Sequence, residues 1–175
     1  MNFKSFWLVS FILLTACGGV QVAYDYDKKT DFSEYKSYDY YPDLQTGLSQ
    51  LDNKRLMRNI DSIMEARGYE NSSTPDIYIN IVSASRPKPN NSSVGIGIGG
   101  TGRNMGGGVS VGVPVGGNES YREITVDIVD AANDELVWQA VSEGTISEQM
   151  TPAMRSEKLK KVAEKVFSNY PPQRK

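Results

Sequence analysis

From residue 20 onward the chain contains short stretches with the periodicity of β-strands and two longer stretches with that of α-helices. In the strand-like stretches side chains alternate between apolar and polar, as expected when one face of a sheet is buried. Such stretches occur at residues 20–26, 37–41, 77–82, 123–129 and 135–141. We predict that the first two strands form a hairpin or lie side by side, and that the last two form a hairpin.

Two further stretches predict amphipathic helices. Apolar side chains recur at helical spacing between residues 51 and 67, and Gly68 then supplies the left-handed conformation that ends many helices. The second helix is predicted to begin at Thr151 and Pro152, a polar N-cap followed by a proline. The predicted buried side chains of the two helices are Leu56, Ile60, Ile63, Met64, Leu159, Val162, Ala163, Val166, Phe167 and Tyr170.

The order of these elements is β-β-α-β, then a glycine-rich segment, then β-β-α. Short turns between strands favour antiparallel pairing, and each helix has one apolar face to bury. We therefore predict an α+β fold, an antiparallel or mixed sheet of about five strands with two helices on one face, in a single domain over residues 20–175. Residues 94–118 are predicted to form a long glycine-rich hairpin excursion between two core strands.

The N-terminus has the layout of an export signal. A positive charge precedes an apolar run at residues 5–14, and Leu14-Thr15-Ala16-Cys17 resembles the lipobox of bacterial lipoproteins. The run is shorter than the ~20 residues needed to span a bilayer. The resemblance implies that residues 1–16 are removed as a signal peptide and that Cys17 is acylated, with palmitate among its acyl chains. Residues 17–19 would then form a short tether.

Composition narrows the chemistry available to the chain. The net charge of −2 argues against nucleic acid as a partner, because nucleic acid requires a basic face. Histidine is absent, which excludes Ser-His-Asp and Cys-His catalysis and zinc sites of the usual His or Cys type. Cys17 is the only cysteine, so no disulfide forms within the chain. An enzyme would have to work with Asp, Glu, Lys, Tyr or Ser.

Several short motifs, in their order along the chain, resemble the domain-of-unknown-function 4136 family of bacterial lipoproteins. The motifs lie at residues 22–25, 31–38, 68–69, 76–79, 124–130, 136–138 and 170–172, with the glycine-rich insert among them. The chain departs from the family pattern where Tyr40 or Tyr41 replaces an expected tryptophan and where Ala140 replaces a usual glycine. The resemblance implies an envelope lipoprotein without an established activity.

The glycine-rich segment contains the spacing G-x-G-x-x-G at residues 97–102. Pyrophosphate binding by this motif requires a helix directly after it, so that the helix N-terminus faces the anion. The following residues, 103–108, cannot begin a helix, so we predict no nucleotide site. Two alternatives stay open, a low-complexity loop and a loop that orders on a partner.

Six of the ten tyrosines lie between Tyr24 and Tyr41, interleaved with aspartates. Tyrosines on one exposed face can stack sugars or hold a basic peptide, so the sequence offers a ligand platform. The alternative is strand preference, since tyrosine packs well on a pleated surface. The candidate platform residues are Tyr24, Tyr26, Tyr38 and Tyr40.

Acidic and basic side chains give three weaker candidates. Side chains with oxygen ligands are concentrated around one turn, as in calcium-binding loops, but their spacing is not that of such a loop. The alternative is that these side chains hydrogen-bond to the backbone of their own turn and hold no metal. A pair of carboxylates could serve a glycosidase if a cleft raised one pKa. Lysines of the last helix could contact anionic lipid or simply be solvated. The calcium candidates are Asp127, Asp130, Asn133, Asp134 and Glu135. The glycosidase candidates are Glu119, Glu123, Asp127 and Glu143. The lysines considered for lipid contact are Lys158, Lys160, Lys161 and Lys165.

The sequence therefore predicts a lipoprotein held by Cys17 in the outer membrane and facing the periplasm, with surface exposure as the open alternative. We expect no catalysis, no cofactor and no metal, and a binding or scaffolding role with an envelope protein or glycan as partner. The alternative is a hydrolase that cuts cell-wall glycan with Asp and Glu. A lipid or small-molecule carrier would require a larger apolar cavity than this core can spare.

Overall fold

The computed structural model describes residues 20–87, 93–95, 112–114, 119–147 and 149–173. The predicted signal peptide and tether, with Cys17, lie outside these residues, as does most of the segment 94–118. The strands are β1 (Gln21–Tyr26), β2 (Ser37–Tyr40), β3 (Glu70–Asn71), β4 (Ile77–Pro87), β5 (Ser93–Gly95), β6 (Gly112–Pro114), β7 (Glu119–Asp130) and β8 (Glu135–Ser147). The helices are α1 (Gln50–Ala66) and α2 (Pro152–Val166), and a 3₁₀ turn (Phe167–Asn169) follows α2.

Six of these strands form one mixed sheet in the order β1-β8-β7-β4-β2-β3. Pairing is antiparallel from β1 to β4, whereas β2 runs parallel to both β4 and β3. β5 and β6 form a separate antiparallel pair, so part of the predicted glycine-rich hairpin is present. The predicted α+β fold with a mixed sheet and two helices is confirmed. The additional strand of the sheet, β3, has two residues and is too short to show alternation.

The predicted pairing of the first two strands is wrong. β1 lies at one edge of the sheet beside β8, and three strands separate it from β2. The segment between them is longer than a hairpin loop, and it contains a core residue, Phe32. The Phe32 ring makes edge-to-face contacts with Tyr26 and Tyr35 at 6.3 and 6.1 Å. Because Phe32 is buried, the segment crosses the end of the sheet instead of turning back on β1.

Both helices have an N-cap: α2 has the predicted Thr151, and α1 has Ser49, which was not identified from sequence. The Ser49 side chain accepts a hydrogen bond from the amide of Asp52 at 3.2 Å, and Thr151 accepts one from the amide of Met154 at 3.3 Å. These bonds satisfy amides that have no partner within the helix. Gly68 follows α1 with φ of +85°, the left-handed conformation expected after a helix.

α1 and α2 lie side by side and run in the same direction. At their first turns, the Arg155 guanidinium donates to the Asp52 carboxylate at 3.0 Å. At their other ends, the Arg67 guanidinium donates to the carbonyl of Tyr170. Neither helix in the described part of the chain has the length and apolar content of a membrane crossing. We call the end of the molecule at which both helices begin the helix-start end, and the end at which both helices finish the helix-finish end.

The core lies between the helices and one face of the sheet. Alternate residues of the central strands point into it, because strand side chains alternate between the two faces. Trp138, at the centre, is fully buried beside Phe167 and Tyr170. The other core side chains from the central strands and helices include Tyr38, Ile77, Ile79, Ile81, Ile124, Val126, Ile128, Ala140, Leu56, Ile60, Met64, Leu159, Val162, Ala163 and Val166.

Gly47 and Gly68 give a matched pair of predictions. Both have a positive φ, of +70° and +85°, so alanine at either position is strained by about 1–2 kcal/mol. A Cβ on Gly47 would also lie 2.9 Å from the carbonyl oxygen of Ser83, whereas one on Gly68 has no atom within 4 Å. We expect Gly47→Ala to lower the urea midpoint clearly more than Gly68→Ala. Equal midpoints would contradict the close approach of residue 47 to β4.

The carboxylate of Asp76 ties β2 to the start of β4. It accepts hydrogen bonds from the amide of Lys36 at 2.8 Å and from the amide and hydroxyl of Ser37, both at 2.9 Å. These hydrogen bonds hold the pKa of Asp76 below its ordinary value, and the bond from the Lys36 amide has the largest effect. The ionised form is therefore favoured in the folded state, and its stabilisation is present at neutral pH and lost as the pH falls through the lowered pKa.

We therefore expect part of the acid sensitivity of the fold to come from Asp76. Melting temperatures of the wild type should fall between about pH 5 and about pH 2, and those of Asp76→Asn should fall less over the same range, from a lower starting value. Asp25→Asn is the matched control, since its exposed carboxylate bonds only the amide of the next residue. An identical acid slope for the wild type and Asp76→Asn would rule out this role.

Candidate functional site

The face of the six-stranded sheet that points away from the helices carries the candidate site. No helix in the described part of the chain covers this face, which we call the open face. It is formed by the residues that alternate with the buried ones along β4, β7 and β8. Its central residues are Tyr78, Asn80, Val82, Thr125, Asp127, Val129, Leu136, Gln139 and Val141.

A row of polar side chains crosses the middle of the open face. Asp127 on β7 accepts one hydrogen bond from the amide group of Asn80 on β4, at 3.2 Å, and another from that of Gln139 on β8, at 2.8 Å. Asp25 on β1 lies directly opposite Gln139. One carboxylate thus bridges three strands, and the amides fix its orientation. The row presents hydrogen-bonding groups in a defined position on an otherwise flat surface.

Apolar side chains flank this row. Val82 is 49% exposed and Leu136 is 53% exposed. Val129, the cross-strand partner of Leu136, and Val141, which lies across Thr125 from Val82, are half-buried. The outward face of an antiparallel sheet is usually polar, because only its other face packs on the core. Apolar groups on an uncovered face are typical of a surface that contacts another molecule.

An aromatic pair lies near one corner of the open face. Tyr41 and Tyr78 meet edge to face, with their ring centroids 5.6 Å apart. The Tyr41 hydroxyl donates to the Asp134 carboxylate at 2.9 Å, and this bond raises the pKa of Tyr41 above its ordinary value. The pair was not identified from sequence, although alternation along β2 and β4 places both residues opposite the core face.

The four tyrosines predicted as a ligand platform do not form one surface. Tyr24, 45% exposed, and Tyr26 lie on β1, whereas Tyr38 and Tyr40 lie on β2 on the far side of three strands. The hydroxyls of Tyr38 and Tyr40 donate to one oxygen of Asp61 on α1, at 3.1 and 2.7 Å. Burial is the main cause that raises the pKa of both. Tyr38 and Tyr40 therefore attach α1 to the sheet.

The carboxylates considered for hydrolysis are partly brought together. Glu123 on β7 and Glu143 on β8 are direct cross-strand neighbours on the open face. Glu123 forms an ion pair with Arg86 at 2.9 Å, and Asp127 is held by its two amides. The side chain of Glu119 lies outside the described part of the structure. Glu123 and Glu143 thus lie side by side on the open face.

The oxygen ligands considered for calcium have other partners. One oxygen of Asp130 accepts from the amides of Ala132 and Asn133, and the other accepts from the Tyr35 hydroxyl at 2.9 Å. Asp134 accepts from Tyr41. These bonds build the turn between β7 and β8. Over the described residues, no group of three or more acidic side chains is placed to hold a metal ion.

Two other sequence candidates have different placements. The G-x-G-x-x-G residues 97–102 lie outside the described part of the chain. The lysines of α2 are distributed around its solvent side: Lys160 lies 3.9 Å from Glu164, and Lys161 lies 3.4 Å from Glu157. Lys158 instead extends across β8, where a Cβ on Gly144 would lie 3.1 Å from its Nζ atom.

Comparisons with known proteins address family and fold. No match is found among curated protein sequences. A DUF4136 family protein from Bacteroides thetaiotaomicron has a similar fold, with a TM-score of 0.52 and 15% identity over 87% of this chain and 96% of that one. A PDZ domain protein from Parabacteroides distasonis gives a TM-score of 0.56 and 12% identity over 89% of this chain, which spans 37% of that protein.

At such low identities these likenesses show the fold alone. The family is shown by the sequence itself, because residues 22–172 match the family described as "Domain of unknown function (DUF4136)". The match covers all six strands of the sheet and both helices except the first residue of β1. The resemblance drawn from the short motifs is confirmed. The chain belongs to the DUF4136 family.

Proposed function

We propose that this chain is a lipid-anchored, non-catalytic binding protein of the outer membrane, facing the periplasm, whose open face holds an envelope protein. The observation that carries the proposal is the exposed apolar surface around Val82 and Leu136, on a face that no described helix covers. Burial of such side chains against a partner is favourable at roughly 25 cal/mol per Å² of apolar area. The polar row centred on Asp127 would fix the position of the partner.

Protein is the better partner for this surface than glycan. Sugars are usually held by aromatic faces that stack on the ring and by polar side chains that line a groove. The open face has one aromatic pair, Tyr41 and Tyr78, at its corner and a third tyrosine, Tyr121, near the start of β7, whereas aliphatic groups flank its centre. Exposed aliphatic groups beside a few fixed polar groups are typical of protein interfaces.

Anchoring is supported by the sequence of the N-terminus. The lipobox-like Leu14-Thr15-Ala16-Cys17 ends three residues before Val20, the first residue that the structure describes. An acylated Cys17 would hold the folded domain at the membrane surface with several acyl chains, and more than one chain is needed for stable anchoring. Gly18, in place of aspartate, favours onward transport to the outer membrane.

The hydrolase stays as a second candidate because Glu123 and Glu143 are cross-strand neighbours, and retaining glycosidases use two nearby carboxyl groups. Against it, both lie on an open surface, and Glu123 is paired with Arg86. We expect no soluble products when the purified protein is incubated with cell-wall glycan. Products that disappear with Glu143→Gln would favour the hydrolase and overturn the non-catalytic proposal.

The binding proposal is tested by capture from detergent-solubilised envelopes. A Val82→Glu, Leu136→Glu double variant should lose its co-purified protein by about tenfold, because burying an unpaired charge in an interface is costly. Met154→Glu is the matched control, since Met154 is 54% exposed but lies on α2, and it should retain the partner. Equal capture by the wild type and the double variant would show that the open face is not the binding surface.

A further inference from the structure

The N-terminal halves of the two helices form a basic surface at the helix-start end, which we call the basic end. Arg55 and Arg155 contribute side chains that are 21% and 30% exposed. Lys54 and Arg58 are exposed on α1, and Lys158 is half-buried on α2.

Among the described residues, few acidic groups neutralise this surface. Asp52, 8% exposed, accepts from both Arg55 and Arg155, at 2.8 and 3.0 Å. On α2, Glu157 is paired with Lys161. Of the neighbouring strand residues, Glu143 is exposed, but it lies on the open face behind the sheet. The cations Lys54, Arg58 and Lys158 therefore have no carboxylate of their own among the described residues.

Two exposed apolar side chains lie among these cations. Leu51, in the first turn of α1, is 64% exposed, and Met154, in the first turn of α2, is 54% exposed. The contact between Asp52 and Arg155 holds the two turns together. Apolar side chains surrounded by lysine and arginine are typical of protein surfaces that rest on a lipid bilayer.

The start of the described chain lies beside the basic end. Gln21 pairs with Glu143, so Val20 lies next to Gly144, over which Lys158 extends. Three residues separate Val20 from Cys17, and three extended residues reach at most about 11 Å. An acylated Cys17 would therefore keep the basic end close to the membrane surface.

The helix-finish end has the opposite charge. Its acidic residues outnumber its cations, and most of them are exposed in the segments that follow β1 and α1 and in the turn between β7 and β8. Among the described residues of this end, the acidic ones are Asp27, Asp31, Glu34, Glu65, Glu70, Asp76, Asp130, Asp134, Glu135 and Glu164, and the cations are Lys28, Lys29, Lys36, Arg67 and Lys165. A negatively charged membrane would attract the basic end and repel the acidic one.

We infer that the basic end docks on an anionic phospholipid surface, with Leu51 and Met154 inserted at the level of the headgroups. The inference deepens the proposed function and rests on its anchor at Cys17. β8 continues to Ser147, three residues past Gly144, so the tip of the sheet reaches about as far toward the membrane as the tether does. The domain therefore leans toward its helices, and the open face points away from the bilayer.

The test uses the full acylated chain in vesicles of phosphatidylcholine and phosphatidylglycerol with brominated acyl chains. Cys17 is the only cysteine, and in the anchored form its sulfur is blocked as a thioether, so one introduced thiol can carry an environment-sensitive fluorophore. Leu51→Cys and Met154→Cys report on the docking surface. Val82→Cys reports on the open face, and Asn133→Cys reports on the helix-finish end.

We expect bromine to quench the labels at residues 51 and 154 at least about twofold more than those at 82 and 133. Lys54→Glu combined with Arg58→Glu should reduce that quenching about twofold, and Lys28→Glu combined with Lys29→Glu, a matched charge change at the helix-finish end, should not. In vesicles of pure phosphatidylcholine, the protein without these substitutions should show the same reduced quenching at residues 51 and 154 as the Lys54→Glu, Arg58→Glu variant shows in the mixed vesicles.

The outcomes separate this inference from the anchor. Vesicles that float with the protein, but with equal quenching at all four labels, would overturn the docking and leave the anchor in place. Stronger quenching at residue 82 than at residue 154 would place the open face against the membrane and would also overturn the docking. Full quenching at residues 51 and 154 in the Lys54→Glu, Arg58→Glu variant would overturn the docking as well. Protein that does not float with the vesicles would overturn the anchor, and the docking with it.

Discussion

Cys17→Ser is expected to move the protein from the membrane fraction to the soluble fraction and to abolish palmitate labelling. The reason is chemical, because the proposed lipid would be attached through a thioether to the only cysteine of the chain, and serine offers no thiol. Loss of acylation removes the strongest membrane attachment that the account assigns to this protein. Fractionation and labelling of cells that express either form measure both effects.

The matched control for this prediction is Thr15→Ser, which changes the same short motif but leaves Cys17 in place. It should retain both the label and the membrane fraction. Full membrane retention of Cys17→Ser, with unchanged palmitate labelling, would be incompatible with a lipoprotein anchored at this residue.

Trp138→Ala is expected to lower the free energy of unfolding by about 3–5 kcal/mol. Trp138 is fully buried, it stacks on Phe167 with ring centroids 5.9 Å apart, and it meets the Tyr170 ring at 5.2 Å. Its indole nitrogen finds no acceptor among the described residues, so the loss comes from packing and from the cavity left behind. Denaturant unfolding followed by circular dichroism measures the change.

Leu136→Ala, two residues earlier on the same strand, is the control for this loss. Leu136 is 53% exposed on the open face, so its truncation should change the unfolding free energy by less than about 1 kcal/mol. Similar losses for Trp138→Ala and Leu136→Ala would mean that the assignment of core face and open face along β8 is incorrect.

The secondary structure could largely be predicted from the sequence because each local signal has a local cause. Alternation at Ile77, Ile79 and Ile81 marks a strand with one buried face, and all three side chains are fully buried. Thr151 and Gly68 mark helix ends because they satisfy or terminate the backbone hydrogen bonds of single turns.

The order of the strands could not be predicted in the same way. Alternation shows which face of a strand is buried, but it says nothing about which strand lies beside it. β1 does not pair with β2, the next strand in sequence, because Phe32 in the segment between them is a core residue. A single phenylalanine in a polar stretch does not indicate from sequence that it is buried. β2 joins β4 in parallel across the helix α1, a connection that short-range patterns do not encode.

The candidate site, too, could be predicted from the sequence only in part. Asn80, Asp127 and Gln139 alternate with core residues and could be placed on an outward face from sequence, but their hydrogen bonds depend on the register of three strands. The sequence predicts that Tyr38 and Tyr40 belong to a ligand platform, because an aromatic face with acidic neighbours can stack sugars or hold a basic peptide. The structure instead places them under α1, where Asp61 receives both hydroxyls.

The central claim, an anchored protein that binds a partner through its open face, is tested most directly by photocrosslinking in cells. A photoreactive amino acid replaces Val82 on the open face in one strain and Asn133 at the helix-finish end in another, with Cys17 intact in both. We expect one specific protein adduct from residue 82, recovered with the membrane fraction, and none from residue 133. The absence of any adduct from residue 82, or the same adducts from both positions, would contradict it.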